Sequence, residues 1–134
     1  MKLNTRNMKR ASGMTLLELT VVILVLLSLI SILFIGARAW KKGSDRAGCI
    51  MNIRNVQQAV RSYANMNGVN PGDTVATLYS DVIGAGKFVE KTPACPGGGA
   101  YTNGATTVPA VGTLYLTCSL AATETHVPAS YTDW

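Results

Sequence analysis

Charge, histidine and aromatic residues are all scarce in this chain. Asp, Glu, Lys and Arg make up 14% of it, Phe, Tyr and Trp 7%, and there is a single His, at position 126. After residue 18 the acids are Asp45, Asp73, Asp81, Glu90, Glu124 and Asp133, and no two of them lie within seven residues of each other. Scattered in this way they form no paired-carboxylate motif. No second ligand stands near His126, and no glycine loop has a phosphate-binding pattern, so the sequence argues against an enzyme and implies no metal and no cofactor. His126 reads as a surface or packing residue. An excess of base is also largely missing from the body of the chain. Four of the twelve cations, Lys2, Arg6, Lys9 and Arg10, fall in the first thirteen residues, which hold no acid, and the remaining eight face seven acids. Four of the five units of formal net charge therefore belong to an N-terminal segment, and no nucleic-acid partner is expected.

Residues 19–37 contain no Asp, Glu, Lys or Arg. As a helix this run is about 28 Å long, close to the ~30 Å hydrocarbon thickness of a bilayer. It exceeds the ~7–15-residue core of a cleaved signal peptide, although Ala37-Arg38-Ala39 has the small-x-small form that signal peptidases cut, which would leave a product starting at Trp40. A membrane span fits better. Its orientation is not set by flanking charge, because Arg38, Lys41, Lys42, Arg46 and Arg54 balance the leader cations. Glu18 is the anomaly, an acid beside Leu16, Leu17 and Leu19 at the entry of an apolar helix. It either favours the positive helix N-terminus and the headgroups, or has a cationic partner.

Lys9-Arg10-Ala11-Ser12-Gly13 followed by Met14-Thr15-Leu16-Leu17-Glu18-Leu19-Thr20-Val21-Val22-Ile23-Leu24 closely resembles the N-terminus of type IV pilins and type II secretion pseudopilins. The resemblance implies that a prepilin peptidase cuts after Gly13 and methylates the new N-terminal amine of Met14. Met14 stands where the family more often has Phe. Glu18 becomes the fifth mature residue, and in a staggered bundle of helices its carboxylate would meet the still-positive amine of a neighbouring copy. Such a pair sets register more than it adds stability, because unpaired charge in an apolar core is heavily penalised. Many pilins carry a proline late in this helix, whereas residues 14–66 here have none, and only Gly36 and Gly43 are soft points.

Beyond Gly43, Ala47, Ile50, Ile53, Val56, Val60, Tyr63 and Ala64 recur at spacings of three and four, the mark of an amphipathic helix. The stretch from Cys49 to Ala59 resembles the second half of the helix in short major pseudopilins. Asn67-Gly68 is a C-cap, with Asn70-Pro71-Gly72 behind it. One helix over residues 14–67 would be about 80 Å long, too long for the remaining residues to cover, so its first half needs lipid or other helices.

In the remainder, Asp73-Thr74 is placed to cap a short helix through Val75, Leu78, Tyr79 and Val82. Two or three short strands are expected over 100–102, 106–108 and 114–118, with a turn at Asn103-Gly104. Cys95 and Cys118 bracket this hairpin. A disulfide between them closes a loop of about 24 residues and is worth roughly 3 kcal/mol in the chain-entropy model, leaving Cys49 as a buried packing thiol. Three reduced thiols are the alternative. The bridge would place the head in an oxidising compartment and the N-terminus in the cytoplasm. Residues 92–134 hold only Glu124 and Asp133 as charges, which fits a subunit contact or a solvated Thr/Gly/Ala surface equally well.

The expected architecture is α+β and pilin-like. A basic leader occupies 1–13, a membrane and assembly helix 14–43, its amphipathic continuation 44–68, and a small disulfide-bridged, β-containing head 69–134. The resemblance implies a subunit held in the bacterial inner membrane, head periplasmic, that polymerises with further copies and with minor pilins or pseudopilins on an inner-membrane assembly platform. The short head is closer to a major pseudopilin, yet the acids needed for the calcium site common in that group are absent, which keeps a true pilin in view. A single-pass membrane protein with a non-polymerising binding head is the alternative.

Overall fold

The computed structural model describes Gly13 and residues 15–134. The leader expected before Gly13, and Met14 with its expected cleavage and methylation, lie outside the described residues. Helix α1 runs Leu16–Asn67, α2 Leu78–Val82, and strands β1 (Tyr101–Asn103) and β2 (Leu116–Cys118) pair antiparallel with Tyr101 opposite Cys118. This is the α+β layout of one long N-terminal helix and a small sheet. The chain divides into two compact units, Met1–Arg38 and Ala39–Trp134.

In the first unit, α1 starts with a reciprocal cap. Glu18 Oε2 accepts the Thr15 N–H at 2.9 Å, and Thr15 Oγ1 accepts the Glu18 N–H at 3.3 Å, satisfying donors that every helix start leaves free. Every side chain over residues 16–38 is exposed. The hydroxyls within this stretch do not need water, because Thr20, Ser28 and Ser31 each donate to a carbonyl three or four residues back. Among the described residues α1 is the one helix long and apolar enough to cross a membrane, and it continues unbroken through Gly36 and Gly43.

The second unit contains the core. The buried face of α1 there is Cys49, Ile53, Val56, Gln57, Ala59, Val60 and Ala64. This phase differs slightly from the expected one: Ala47 is exposed and Ile50 half-buried, because Cys49 and Gln57 turn inward instead. The helix ends as anticipated. Gly68 takes φ +65°, and the Val69 N–H reaches back to the Ala64 carbonyl at 2.9 Å.

The expected cap on the short helix is not at Asp73-Thr74. Asp73 Oδ2 accepts the Asn70 N–H and braces the turn after the long helix, while the Val75 N–H is taken by the Thr106 carbonyl, so α2 begins only at Leu78. Likewise the middle strand reduces to a single bridge, Thr74 with Thr107. Leu78, Val82, Val108, Tyr115, Leu116 and Cys118 close over the α1 face. Gln57 ties the two together, donating to the Thr113 carbonyl at 2.9 Å and accepting the Tyr115 N–H at 2.8 Å.

Candidate functional site

Three cysteines far apart in sequence meet in the second unit. Cys49 is brought there by the buried face of α1 and Cys118 by the last position of β2. Cys95 sits on a turn in which the Gly98 N–H returns to the Cys95 carbonyl at 3.0 Å with Gly98 at φ +80°. After Cys118 a compact turn, with the Glu124 and His126 N–H groups both directed to the Leu120 carbonyl, swings His126 inward. All four residues are buried, Cys49 and His126 completely. One donor atom from each lies within 4.8 Å of the other three.

The distances are specific. His126 Nδ1 is 3.3 Å from Cys95 Sγ and 4.0 Å from Cys118 Sγ, and the two sulfurs are 3.8 Å apart. The far ring nitrogen, Nε2, faces Glu124 Oε2 at 3.6 Å and has no hydrogen-bond partner among the described residues. Glu124 in turn lies 3.6 Å from Lys42 Nζ. The Tyr101 hydroxyl is 3.3 Å from Cys49 Sγ and itself accepts from Asn52 Nδ2 at 3.3 Å.

The turn that carries Cys95 fits the cluster so closely that side chains are excluded. A Cβ on Gly97 would stand 2.7 Å from His126 Cε1, and one on Gly99 would stand 2.8 Å from Cys118 Sγ. Burial opposes ionisation of Cys95, but the amides of Gly99 and Gly97 and the His126 ring outweigh it and bring the thiol down to about 7. Cys49 has no such amides. Burial pushes it up to about 12, with the Tyr101 hydroxyl opposing in part.

Cys95 and Cys118 are neighbours, as the sequence led us to expect, but their sulfurs are 3.8 Å apart, well beyond the ~2.05 Å of a disulfide, and all three cysteines are free thiols. Of the two readings of His126, surface or packing, the surface one is corrected, and the neighbours that the sequence did not place beside it are Cys95 and Cys118. His126 is fully buried against two sulfurs because residues 119–125 fold back on the end of β2. Spacing along the chain hid this set, since no two donors have the short separation of a zinc-finger knuckle. The one signal the sequence holds is Cys95-Pro96-Gly97-Gly98-Gly99, a cysteine followed closely by glycines whose amides are bare.

The other expected site residues belong to the first unit. Glu18 is exposed in the single chain and engaged with Thr15. Gly13 is exposed, with open space around it. No family model, curated protein or solved structure matches this chain.

Proposed function

We propose that this protein is a structural subunit that polymerises through the first part of α1 into a pilus or pseudopilus of the type IV pilin class. The observation that carries the reading is the apolar surface over residues 16–38, every side chain of it exposed, which starts at a capped acidic residue, Glu18. Isolated in water this surface is untenable, and it needs either lipid or the same surface of other copies. A filament subunit uses both in turn. It is stored in the inner membrane as a single span with the head outside the cytoplasm, then drawn into a helical bundle. Glu18 supports the reading further, because a bundle of such helices needs a cation for each buried carboxylate, and an amine at Met14, freed by cleavage after Gly13, is the cation the sequence offers.

The test combines mass spectrometry of the mature N-terminus with electron microscopy of material sheared from cells. A chain starting at N-methylated Met14 and ordered fibres containing it are expected. An intact Met1, with the protein confined to the membrane fraction, would replace this reading with a non-polymerising single-pass protein.

A further inference from the structure

The thiol–imidazole cluster has the dimensions of a closed tetrahedral metal site. With Zn–S near 2.3 Å and Zn–N near 2.0–2.1 Å, the edges of a Cys3His tetrahedron are about 3.8 Å between sulfurs and about 3.5 Å from sulfur to nitrogen. The observed separations are 3.8 Å for Cys95–Cys118 and 3.3 and 4.0 Å from those sulfurs to His126 Nδ1, with all four donors inside 4.8 Å. We propose that Cys49, Cys95, Cys118 and His126 Nδ1 bind one structural zinc ion. The proposal is independent of whether the chain polymerises.

The imidazole is turned as a metal ligand's would be, with Nε2 as the protonated nitrogen and the Nδ1 lone pair aimed at the sulfurs, a tautomer that also accepts the Cys95 S–H when no metal is bound. If Nδ1 carried the proton and donated to Cys95, Nε2 would present a lone pair to the Glu124 carboxylate, acceptor against acceptor, in a buried position. With Nδ1 on a metal, Nε2 must carry the proton and points it at that carboxylate. This is the usual outer partner of a metal-bound histidine, and Lys42 balances it from the far side. The amides of Gly97 and Gly99 approach Cys95 as donors that a thiolate uses well, and the missing Cβ atoms are what let the loop come so near.

Full burial and four protein donors leave no open coordination position, which marks a structural rather than a catalytic zinc. An iron–sulfur cluster would need room for several inorganic atoms among donors that here surround only one. Binding moves no electrons. Zn2+ takes three thiolates and one neutral imidazole, three protons leave, and the site keeps one net negative charge. What it supplies is a staple joining α1, the Cys95 turn, the end of β2 and the segment leading to His126, in a head with few strands to hold it.

The test uses the full chain in detergent, purified under reducing conditions without chelator. About one zinc per chain is expected. Exchange to Co(II) should give the intense thiolate-to-cobalt absorption and visible bands of a tetrahedral site. Chelation should lower the Tm and open three thiols to a thiol reagent. Glu124→Gln should keep the metal but bind it ~10–100-fold more weakly, while Cys49→Ala should lose the cobalt spectrum and His126→Cys should retain a tetrahedral one. Because ligand variants can misfold, zinc content and the cobalt spectrum of the unaltered chain are decisive. No metal uptake by reduced protein overturns the site, as does a Cys95–Cys118 disulfide in metal-free protein from cells, or an unchanged cobalt spectrum in Cys49→Ala.

Discussion

Gln57 shows how much a single buried polar side chain can matter in so small a head. It is 2% exposed, and its amide satisfies one carbonyl and one N–H of the 113–115 segment from the opposite side of the core. Gln57→Ala strips both partners at once and leaves them without water. At ~1–3 kcal/mol for each stranded group, the head should lose about 3 kcal/mol, read as a lower denaturant midpoint with little change in slope. Asp81 makes a different kind of contribution. Thr77 Oγ1 donates to its carboxylate at 2.7 Å and the Tyr63 hydroxyl at 3.1 Å, and these bonds hold the group below its ordinary value. A carboxyl depressed in the folded state stabilises above its unfolded pKa of about 3.9, and that stabilisation is lost as pH falls through the lower folded value. Acidification from pH 5 to pH 3 should therefore cost the native chain more stability than it costs Asp81→Asn. Equal losses in the two, measured by denaturant titration at each pH, would remove Asp81 from the account.

At the scale of elements, the start of α1 gives Glu18 one observed job, and the proposed filament would give it a second. Glu18 caps its own helix through Thr15, and in an assembled filament it would also neutralise a neighbour's amine. Three substitutions separate the jobs. Thr15→Ala damages the cap by about 1 kcal/mol but keeps the charge, so filament yield should hold. Glu18→Gln keeps a competent capping side chain and removes the charge, so membrane insertion should be normal and filaments sparse. Glu18→Ala removes both and should resemble Glu18→Gln in filament yield by electron microscopy. Filament loss in Thr15→Ala with normal yield in Glu18→Gln would make the cap, not the charge, the point of this residue. The place of Glu18 at a helix start was legible in sequence, though not its reciprocal cap with Thr15, and so was α1, because 52 residues of sustained pattern ending in Asn-Gly leave little freedom. The head was less legible for a physical reason. Its strands have three residues each, too few for alternation to register, and Asp73, a good cap by type, is consumed by a turn. The cluster was the least legible, since Cys49, Cys95, Cys118 and His126 come from four separate segments and only the folded core brings them to one point.

For the whole molecule, what matters is that most of its apolar side chains fall into two separate populations, with Trp40, Met51, Met66, Phe88 and Val111 exposed outside both. Those over residues 16–38 are exposed without exception, whereas every core side chain comes from residue 49 onward. The first population contributes nothing to the core, and the second needs no lipid. A chain beginning at Ala39 therefore keeps all of the packing, the Gln57 bonds and the four donors, and loses the exposed apolar stretch over residues 16–38 with its capped start. It should be soluble without detergent, run as a monomer on size exclusion, and unfold in one cooperative transition, with fraying confined to the exposed helix turns before Cys49. The full chain should need detergent or lipid throughout. If the shortened chain instead associates as readily as the full one, the head carries an interface of its own, and the sparsely charged 92–134 surface is where it would lie. If it stays monomeric, the polymerising capacity resides in residues 16–38, and changes to the head should alter stability while leaving filament formation to the helix.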